Sequence, residues 1–262
     1  MTSRPPLQAI LLAAGYGTRL GELGRRVPKP LLELGGRPLA DHLLEDLVRI
    51  PEVTELLVVT NSRFRTVMEA WAGSWEERAP FPVRLLDDGT SHPGERLGAV
   101  GDLAFALEQA GREGAEEPDR LVLAGDTLPG FPLERLLTAS ARRPEADLLV
   151  ILEEEGDPDR LGERGVVQLD CSGRVRLFQE KPGSPVSALT ALPIYLFRPD
   201  ALARVKDFLR EGGDPDAPGT LVAWLVDRVR VEGWRSPGER VDVGTPEGLE
   251  AARRRFADHG EG

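Results

Sequence analysis

Short apolar runs alternate with amphipathic stretches through the first 150 residues of this 262-residue chain. Runs such as Leu-Leu-Val-Val are nearly continuous, which is typical of strands buried on both faces of a parallel sheet. The segments between them place apolar residues at helical spacing. The alternation predicts an α/β fold of the doubly wound, Rossmann-like kind, with a mostly parallel mixed sheet between two helical layers. The predicted strands are 7–13, 55–60, 83–86, 120–124 and 146–152, and the predicted helices are 38–49, 63–75, 97–111 and 132–142.

The pattern changes after residue 152. Two short strands, 165–169 and 175–179, are separated by Asp-Cys-Ser-Gly, a composition that favours a hairpin turn. We expect a single domain over 1–258, with a first half over 1–150, a second half over 151–258 that contains a smaller β region, and a tail at 259–262. The other elements predicted in the second half are strands at 192–197, 229–232 and 240–243 and helices at 199–211, at 219–229 and from 246.

Composition excludes several classes of partner and site. The net charge is −11, without a basic block of the kind that nucleic-acid binding requires. No apolar run approaches the ~20 residues of a membrane span, and the first residues lead into a strand rather than a signal-type segment. We therefore expect a cytoplasmic protein without nucleic-acid or membrane partners, while a homo-oligomer is compatible with the composition. The single cysteine excludes an internal disulfide.

A glycine-rich turn follows the first predicted strand, where ligands of open α/β sheets bind. Gly15 and Gly17 allow backbone N–H groups to approach an anion. The planar guanidinium of Arg19 suits phosphate oxygens, and Lys29 lies between two prolines that stiffen its backbone. The spacing matches neither the dinucleotide pattern nor a Walker loop. A plain strand-to-helix turn is the alternative interpretation of the glycines alone.

Carboxylates stand at the ends of two other predicted strands. Asp126 comes after Gly125, and Asp242 begins Asp-Val-Gly-Thr. Mg²⁺ binds one or two carboxylates together with substrate phosphates, although each aspartate alone could equally cap a turn. Glu180 and Lys181 follow the predicted hairpin. A glutamate can accept hydrogen bonds from sugar hydroxyls and a lysine can bind phosphate, but a charged turn is the alternative.

These motifs together resemble the sugar-phosphate nucleotidyltransferases, or NDP-sugar pyrophosphorylases. The likeness begins with Leu-Ala-Ala-Gly-x-Gly-Thr-Arg-Leu and Pro-Lys-Pro-Leu, continues through Gly-Asp, Glu-Lys-Pro and Asp-x-Gly-Thr, and ends near residue 252. It implies a magnesium-dependent transferase that condenses an NTP with a sugar 1-phosphate, giving an NDP-sugar and pyrophosphate. The glucose-1-phosphate thymidylyl- and uridylyltransferases are the best-known members.

The resemblance also implies a role for each matching residue. The implied nucleotide-binding residues are Ala14, Gly15, Gly17, Thr18 and Gly98. The implied catalytic residues are Arg19, Lys29 and Lys181, the sugar-phosphate-binding residues are Gly165, Glu180 and Lys181, and the Mg²⁺ ligands are Asp126 and Asp242.

The chain departs from the family pattern at two places. Pro193 stands where members usually carry a glycine before Ile-Tyr, and the glutamine with which thymidylyltransferases read the base is missing. The base is therefore open, with thymidylyl or uridylyl transfer favoured over guanylyl transfer. Two alternatives remain: transfer to a non-sugar phosphate such as phosphocholine or an inositol phosphate, and a catalytically silent regulatory subunit.

Overall fold

The computed structural model describes residues 4–110 and 117–258. The strands are β1 Leu7–Leu12, β2 Glu33–Leu34, β3 Arg37–Pro38, β4 Val53–Thr60, β5 Val83–Asp87, β6 Asp119–Ala124, β7 Thr127–Leu128, β8 Leu148–Glu154, β9 Gly165–Leu169, β10 Val175–Glu180, β11 Leu189–Phe197, β12 Val231–Arg235 and β13 Val241–Asp242. The helices are α1 Gly21–Arg26, α2 Leu39–Val48, α3 Arg65–Gly73, α4 Ala99–Gln109, α5 Glu134–Ala141, α6 Pro199–Leu202, α7 Val205–Arg210, α8 Pro218–Val226 and α9 Pro246–Asp258.

One mixed sheet contains strands from both halves of the chain, in the order β10-β9-β11-β6-β1-β4-β5. β1 pairs in parallel with β4 and β6, and β4 pairs in parallel with β5. β11 is antiparallel to β6 and to β8, and β12 completes the edge beyond β8. Because β1 and β6 are parallel neighbours, their carboxyl ends lie at the same edge of the sheet.

The two faces of the sheet are covered by different helices, which confirms the predicted three-layer α/β class. Ala9 and Leu11 of β1 belong to one buried cluster, together with residues of α2, α3, α5 and α9. Ile10 belongs to the other cluster, with residues of α4, α7 and α8. Burial on both faces explains why the strands appear in the sequence as unbroken apolar runs.

Several predicted boundaries are wrong. The single helix predicted at 199–211 is two helices, α6 and α7, because i−3 bonding such as Arg204 N–H to the Ala201 carbonyl tightens the chain into a turn. α4 begins only after Gly98, and residue 111 lies outside the described part of the chain. A short helix, α1, lies between the glycine-rich turn and Lys29, where no helix was predicted.

β11 begins three residues earlier than predicted, and its pairing with β8 is irregular between Ala191 and Tyr195. Pro193 lies inside that irregularity, as expected for a residue without a backbone N–H to donate. The predicted tail at 259–262 lies outside the described residues. Within the described ranges, no helix combines the length and the apolar character needed to cross a membrane.

Candidate active site

The two predicted metal-binding aspartates, distant in sequence, meet beside the end of β1. The backbone N–H of Gly125 donates to the Leu12 carbonyl at 2.9 Å, which fixes the start of the Asp126 loop against β1. β7 and β13 then form a short antiparallel ladder in which Asp242 lies opposite Thr127. The Val243 N–H also donates to the Asp126 carbonyl at 3.0 Å. Backbone pairing therefore positions both carboxylates.

Lys29 lies in the same place. Its Nζ is 2.6 Å from Asp126 Oδ2, and both side chains are about three-quarters buried. A Cβ placed on Gly244 would lie 2.9 Å from Asp242 Oδ1, 3.6 Å from Asp126 Oδ2 and 3.8 Å from Lys29 Nζ. The structure thus brings the three predicted groups around one point, and the glycine of Asp-x-Gly-Thr keeps that point open.

These residues fit a divalent cation that draws its remaining ligands from substrate. Two carboxylates are the number that Mg²⁺ commonly takes from protein, alongside phosphate oxygens and water. Among the described residues, no group of three or more His, Cys, Asp or Glu side chains could hold a metal. Asp126 and Asp242 would therefore hold an ion together with a bound triphosphate rather than in a closed protein cage.

The glycine-rich turn lies at the end of β1, where the sequence placed it. Asn61 Nδ2 donates to the Ala14 carbonyl at 2.7 Å, and the Tyr16 hydroxyl bonds to Thr90 Oγ1 at 2.8 Å. These bonds hold the turn in place. Burial raises the pKa of Tyr16. Gly17 has φ 61° and leads into a 3-10 turn, Thr18–Leu20. The residues whose side chains or backbone face outward are Gly15, Thr18 and Arg19.

A cavity of about 280 Å³ extends from this turn between the sheet and helices α4 and α8. Its charged end is formed by Lys29 and Asp126, beside Gly15. Its other walls are mostly apolar and include Val100, Leu103, Val122, Pro193, Tyr195, Phe197 and Val222. Arg96, Asp102 and Asp216 add charged groups to these walls. A cavity with a charged end, apolar walls and a few polar groups can accept a molecule that carries phosphates on a ring system.

Gly98 is covered by a loop from the second half of the chain. Its φ is 81°, and a Cβ there would lie 2.4 Å from the Pro215 carbonyl oxygen, so this position requires glycine. The same carbonyl accepts the Val100 N–H at 2.8 Å and so caps the first turn of α4. Arg96 pairs with Asp216 of the same loop at 2.8 Å.

Asp102 is a buried carboxylate in this cavity that the motif search missed. It belongs to the first turn of α4, is only 6% exposed, and its Oδ1 has no hydrogen-bond partner. Burial raises its pKa to about 7, and the charges of Asp88 and Asp216 add to the effect. No local feature of the sequence distinguishes Asp102 from the other acidic residues of the chain.

Glu180 ends β10 and packs between two glycines. A Cβ on Gly219 of α8 would lie 1.9 Å from Glu180 Oε2, and one on Gly165 would lie 3.5 Å from it. Burial raises the pKa of Glu180, while the charge of Lys181 lowers it. Lys181 has a left-handed backbone with φ 47° and an exposed side chain whose Nζ lies 3.7 Å from Glu180 Oε1. The predicted sugar-phosphate residues therefore lie together, against the helix that walls the cavity.

Arg164 is a second residue that the motif search missed. Its Nη1 is 3.3 Å from Asp242 Oδ2, so each of the two aspartates is paired with a cation. Arg164 directly precedes Gly165 and was passed over because it belongs to none of the recognised motifs.

The sequence pattern of one protein family matches residues 8–258, from the first strand to the last helix, and so includes all of these groups. This chain belongs to the nucleotidyl transferase family. The match confirms the resemblance that the glycine-rich turn and the spaced aspartates indicated.

Two curated relatives show how far the similarity extends. The mannose-1-phosphate guanylyltransferase catalytic subunit beta of Danio rerio is 32% identical over 200 residues, which are 76% of this chain and 52% of that protein. The mannose-1-phosphate guanylyltransferase regulatory subunit alpha of Drosophila melanogaster is 31% identical over 198 residues, 72% of this chain and 43% of that protein. This nucleotidyl transferase thus spans about half the length of these curated relatives.

A solved structure shows the same fold. UDP-glucose pyrophosphorylase in complex with UDP-glucose superposes with a TM-score of 0.79, over 97% of this chain and 99% of that one, at 17% identity. The superposition covers both halves of this nucleotidyl transferase, and it supports the Rossmann-like architecture described above.

Proposed function

We propose that the protein transfers a nucleoside monophosphate from an NTP to a sugar 1-phosphate, with release of pyrophosphate. The observation that carries the proposal is the grouping of Lys29, Asp126 and Asp242 around one open point beside the glycine-rich turn. Glu180 and Lys181 supply a second site for an anionic sugar next to it. One site for a triphosphate and one for a phosphorylated acceptor are what this reaction needs.

The reaction requires little covalent chemistry from the protein. A phosphate oxygen of the sugar 1-phosphate forms a bond to the α-phosphorus, and the bond to the bridging oxygen breaks, so that pyrophosphate leaves with the electron pair. The attacking oxygen is already anionic and needs no general base. Catalysis then consists of alignment and charge neutralisation. Arg19 binds the β- and γ-phosphates, Lys29 the α-phosphate, and Lys181 the phosphate of the acceptor.

Mg²⁺ is our proposal for the cation held by Asp126 and Asp242, where it would add positive charge beside the triphosphate. Lys29 lies against Asp126, so its ammonium would be beside both the ion and the phosphates. Asp126→Asn is therefore expected to abolish turnover that depends on Mg²⁺.

Two alternatives to this proposal can be tested. One is an acceptor other than a sugar phosphate, and the other is a protein without catalytic activity. A relative is named a regulatory subunit, but Arg19, Lys29 and both aspartates are all present in this chain, which supports activity. Transfer to phosphocholine or an inositol phosphate would use the same nucleotide half. The cytoplasmic location and any homo-oligomer stay predictions.

GTP is the competitor to the dTTP or UTP preference predicted from the sequence. One observation favours it: the buried carboxylate of Asp102 in the cavity has an oxygen without a partner. Guanine carries two adjacent N–H donors, N1–H and the 2-amino group, which match the two oxygens of a carboxylate. Uracil and thymine offer one N–H between two carbonyl acceptors. Curated relatives named guanylyltransferases agree with this candidate.

The function is tested by measuring pyrophosphate release from each common NTP and dTTP with glucose, mannose and N-acetylglucosamine 1-phosphates, phosphocholine and inositol phosphate. We expect turnover with a sugar 1-phosphate and Mg²⁺. Lys29→Ala should lower kcat at least 100-fold, whereas the matched control Lys206→Ala, an exposed lysine paired with Glu108, should not. Turnover only with phosphocholine or inositol phosphate, or none with any pair, would refute the proposal.

The base is tested separately. If GTP is the substrate, Asp102→Asn should lower kcat/KM for GTP at least tenfold and narrow the difference from UTP and dTTP. Glu108→Gln, on the same helix but exposed, serves as the control. Efficient wild-type use of dTTP or UTP with no use of GTP would support the preference predicted from the sequence.

A further inference from the structure

Only part of the Arg164 guanidinium contacts the carboxylates around it. Its Nη1 contacts Asp242 Oδ2 at 3.3 Å, and its Nε lies 3.9 Å from Glu155 Oε2. That Nε is buried and has no hydrogen-bond partner. A buried, charged donor without a partner is unfavourable unless a bound molecule satisfies it. The side chain is 15% exposed and lies beside Asp242 of the candidate site.

The backbone of Arg164 ties it to the predicted acceptor site. The Lys181 N–H donates to the Arg164 carbonyl at 2.9 Å, and Gly165 is paired with Glu180 in the ladder between β9 and β10. Arg164 and Lys181 therefore lie at the same end of one hairpin. The structure places two cations there, one toward Asp242 and one toward Glu180.

Arg240, a neighbouring arginine in the same cluster, serves as a comparison for the contacts of Arg164. Arg240 is 6% exposed, its Nε contacts Glu153 Oε1 at 2.9 Å, and its Nη1 donates to the Ala191 carbonyl at 3.2 Å, while its Nη2 is buried without a hydrogen-bond partner. Those bonds join β8, β11 and the segment before β13. Arg164 instead has only long contacts with carboxylates, at 3.3 Å to Asp242 and 3.9 Å to Glu155, and the proposed ion would compete for Asp242.

Each of the two aspartates forms an ion pair with one basic side chain. Lys29 is paired with Asp126 and Arg164 is paired with Asp242. A divalent cation held by both carboxylates would compete with these pairs for the same oxygens. Lys29 would then be available to a triphosphate. Arg164, on the hairpin that carries Lys181, would be available to the other anion.

We propose that Arg164 binds the phosphate of the acceptor substrate, together with Lys181, and holds it as a phosphate monoester dianion for attack. This role rests on the proposed function. The planar guanidinium can contact two phosphate oxygens at once, which orients the phosphate as well as neutralising it. Orientation decides which oxygen faces the α-phosphorus.

The test uses the wild-type protein, Arg164→Met, Arg164→Lys and the control Arg176→Met. Arg176 lies on the same hairpin, but it is exposed and paired with Asp170. With the active pair found in the substrate screen, Arg164→Met should raise KM for the acceptor at least tenfold and leave KM for the NTP within twofold. Binding of the NDP-sugar product, measured by calorimetry, should weaken at least tenfold, whereas binding of the NMP should not. Arg176→Met should match the wild type.

Arg164→Lys keeps the charge near Asp242 and loses the planar fork, so it provides a variant that folds if the methionine variant does not. We expect it to raise KM for the acceptor about fivefold. An unchanged acceptor KM in these variants, or a weakening confined to the metal, would overturn the role of Arg164 while leaving the proposed function intact. A wild-type protein without activity on any pair would overturn both.

Discussion

At the scale of single residues, the site is a set of charges that are neutralised in pairs. Lys29 neutralises Asp126 and Arg164 neutralises Asp242, so neither carboxylate is left as an isolated charge before substrate arrives. Asp102 differs, because its carboxyl is buried with one oxygen unpaired and with carboxylates as its charged neighbours. Its ionised form is therefore unfavourable in the folded protein.

The raised pKa of Asp102 has a measurable effect on stability. Because the folded protein holds this proton up to a pH of about 7, while an unfolded aspartate loses it near the ordinary value of 3.8, stability falls as the pH rises through that interval. Asp102→Asn should therefore be more stable than the wild type above pH 7, by on the order of 3 kcal/mol. The difference should shrink toward zero at pH 4. Urea unfolding at a series of pH values measures it, and a difference independent of pH would contradict the burial argument.

The sequence predicted the residues that belong to motifs, and the structure places those residues together. Lys29, Asp126 and Asp242 could be predicted because each lies near prolines or glycines that form a distinctive motif with it. Arg164 and Asp102 could not, because nothing local distinguishes them. These two residues become candidates because of where their side chains lie and because of neighbours that are distant in sequence. Both depend on the fold.

At the scale of elements, the closest approach in the site is that of α8 to β10. The Glu180 carboxylate lies where a side chain on Gly219 would be, so the helix and the strand end can pack only around a glycine. This contact links the cavity wall to the proposed acceptor site. Any change in the spacing of the two elements moves Glu180.

Gly219→Ala should separate α8 from β10 and displace Glu180. We expect a loss of about 1–3 kcal/mol in the free energy of unfolding, as for other overpacked sites, and a rise of at least fivefold in KM for the acceptor. Gly183→Ala is the matched control, because its Cβ would meet no atom within 4 Å. Equal kinetics for the two variants would show that Glu180 does not depend on this contact.

Element bounds were predicted well where a strand is buried on both faces and poorly where the chain is short or irregular. The predicted 120–124 agrees with β6, whose apolar run is continuous. β7 and β13 have two residues each, too few for any periodicity, yet their pairing is what joins Asp126 to Asp242. The turn between α6 and α7 likewise has no glycine or proline to signal it.

At the scale of the whole molecule, one sheet joins the two predicted halves. β11, from the second half, lies between β6 of the first half and β8. Separating the halves would expose the edges of β6 and β11 and open the cavity between them. The single domain predicted from the sequence should therefore unfold as one unit.

The four tryptophans allow this to be tested, since Trp71 and Trp75 lie in the first half and Trp224 and Trp234 in the second. Two variants are compared, each with one pair replaced by phenylalanine. In each, the urea midpoint from tryptophan fluorescence should coincide with that from far-ultraviolet circular dichroism. Two separate midpoints within one variant would indicate that the halves unfold independently.

The loop that covers Gly98 affects how the second half of this chain could be exchanged for that of a relative. Pro215 and Asp216 come from the second half of the chain, yet they cap α4 and pair with Arg96 in the first half. Under the proposed function, a chimera that takes residues 151–258 from a relative would replace the loop that covers the base together with the acceptor site. Base and sugar preferences would then be inherited together unless the crossover spares 212–217. Donor and acceptor specificity would not be separate modules.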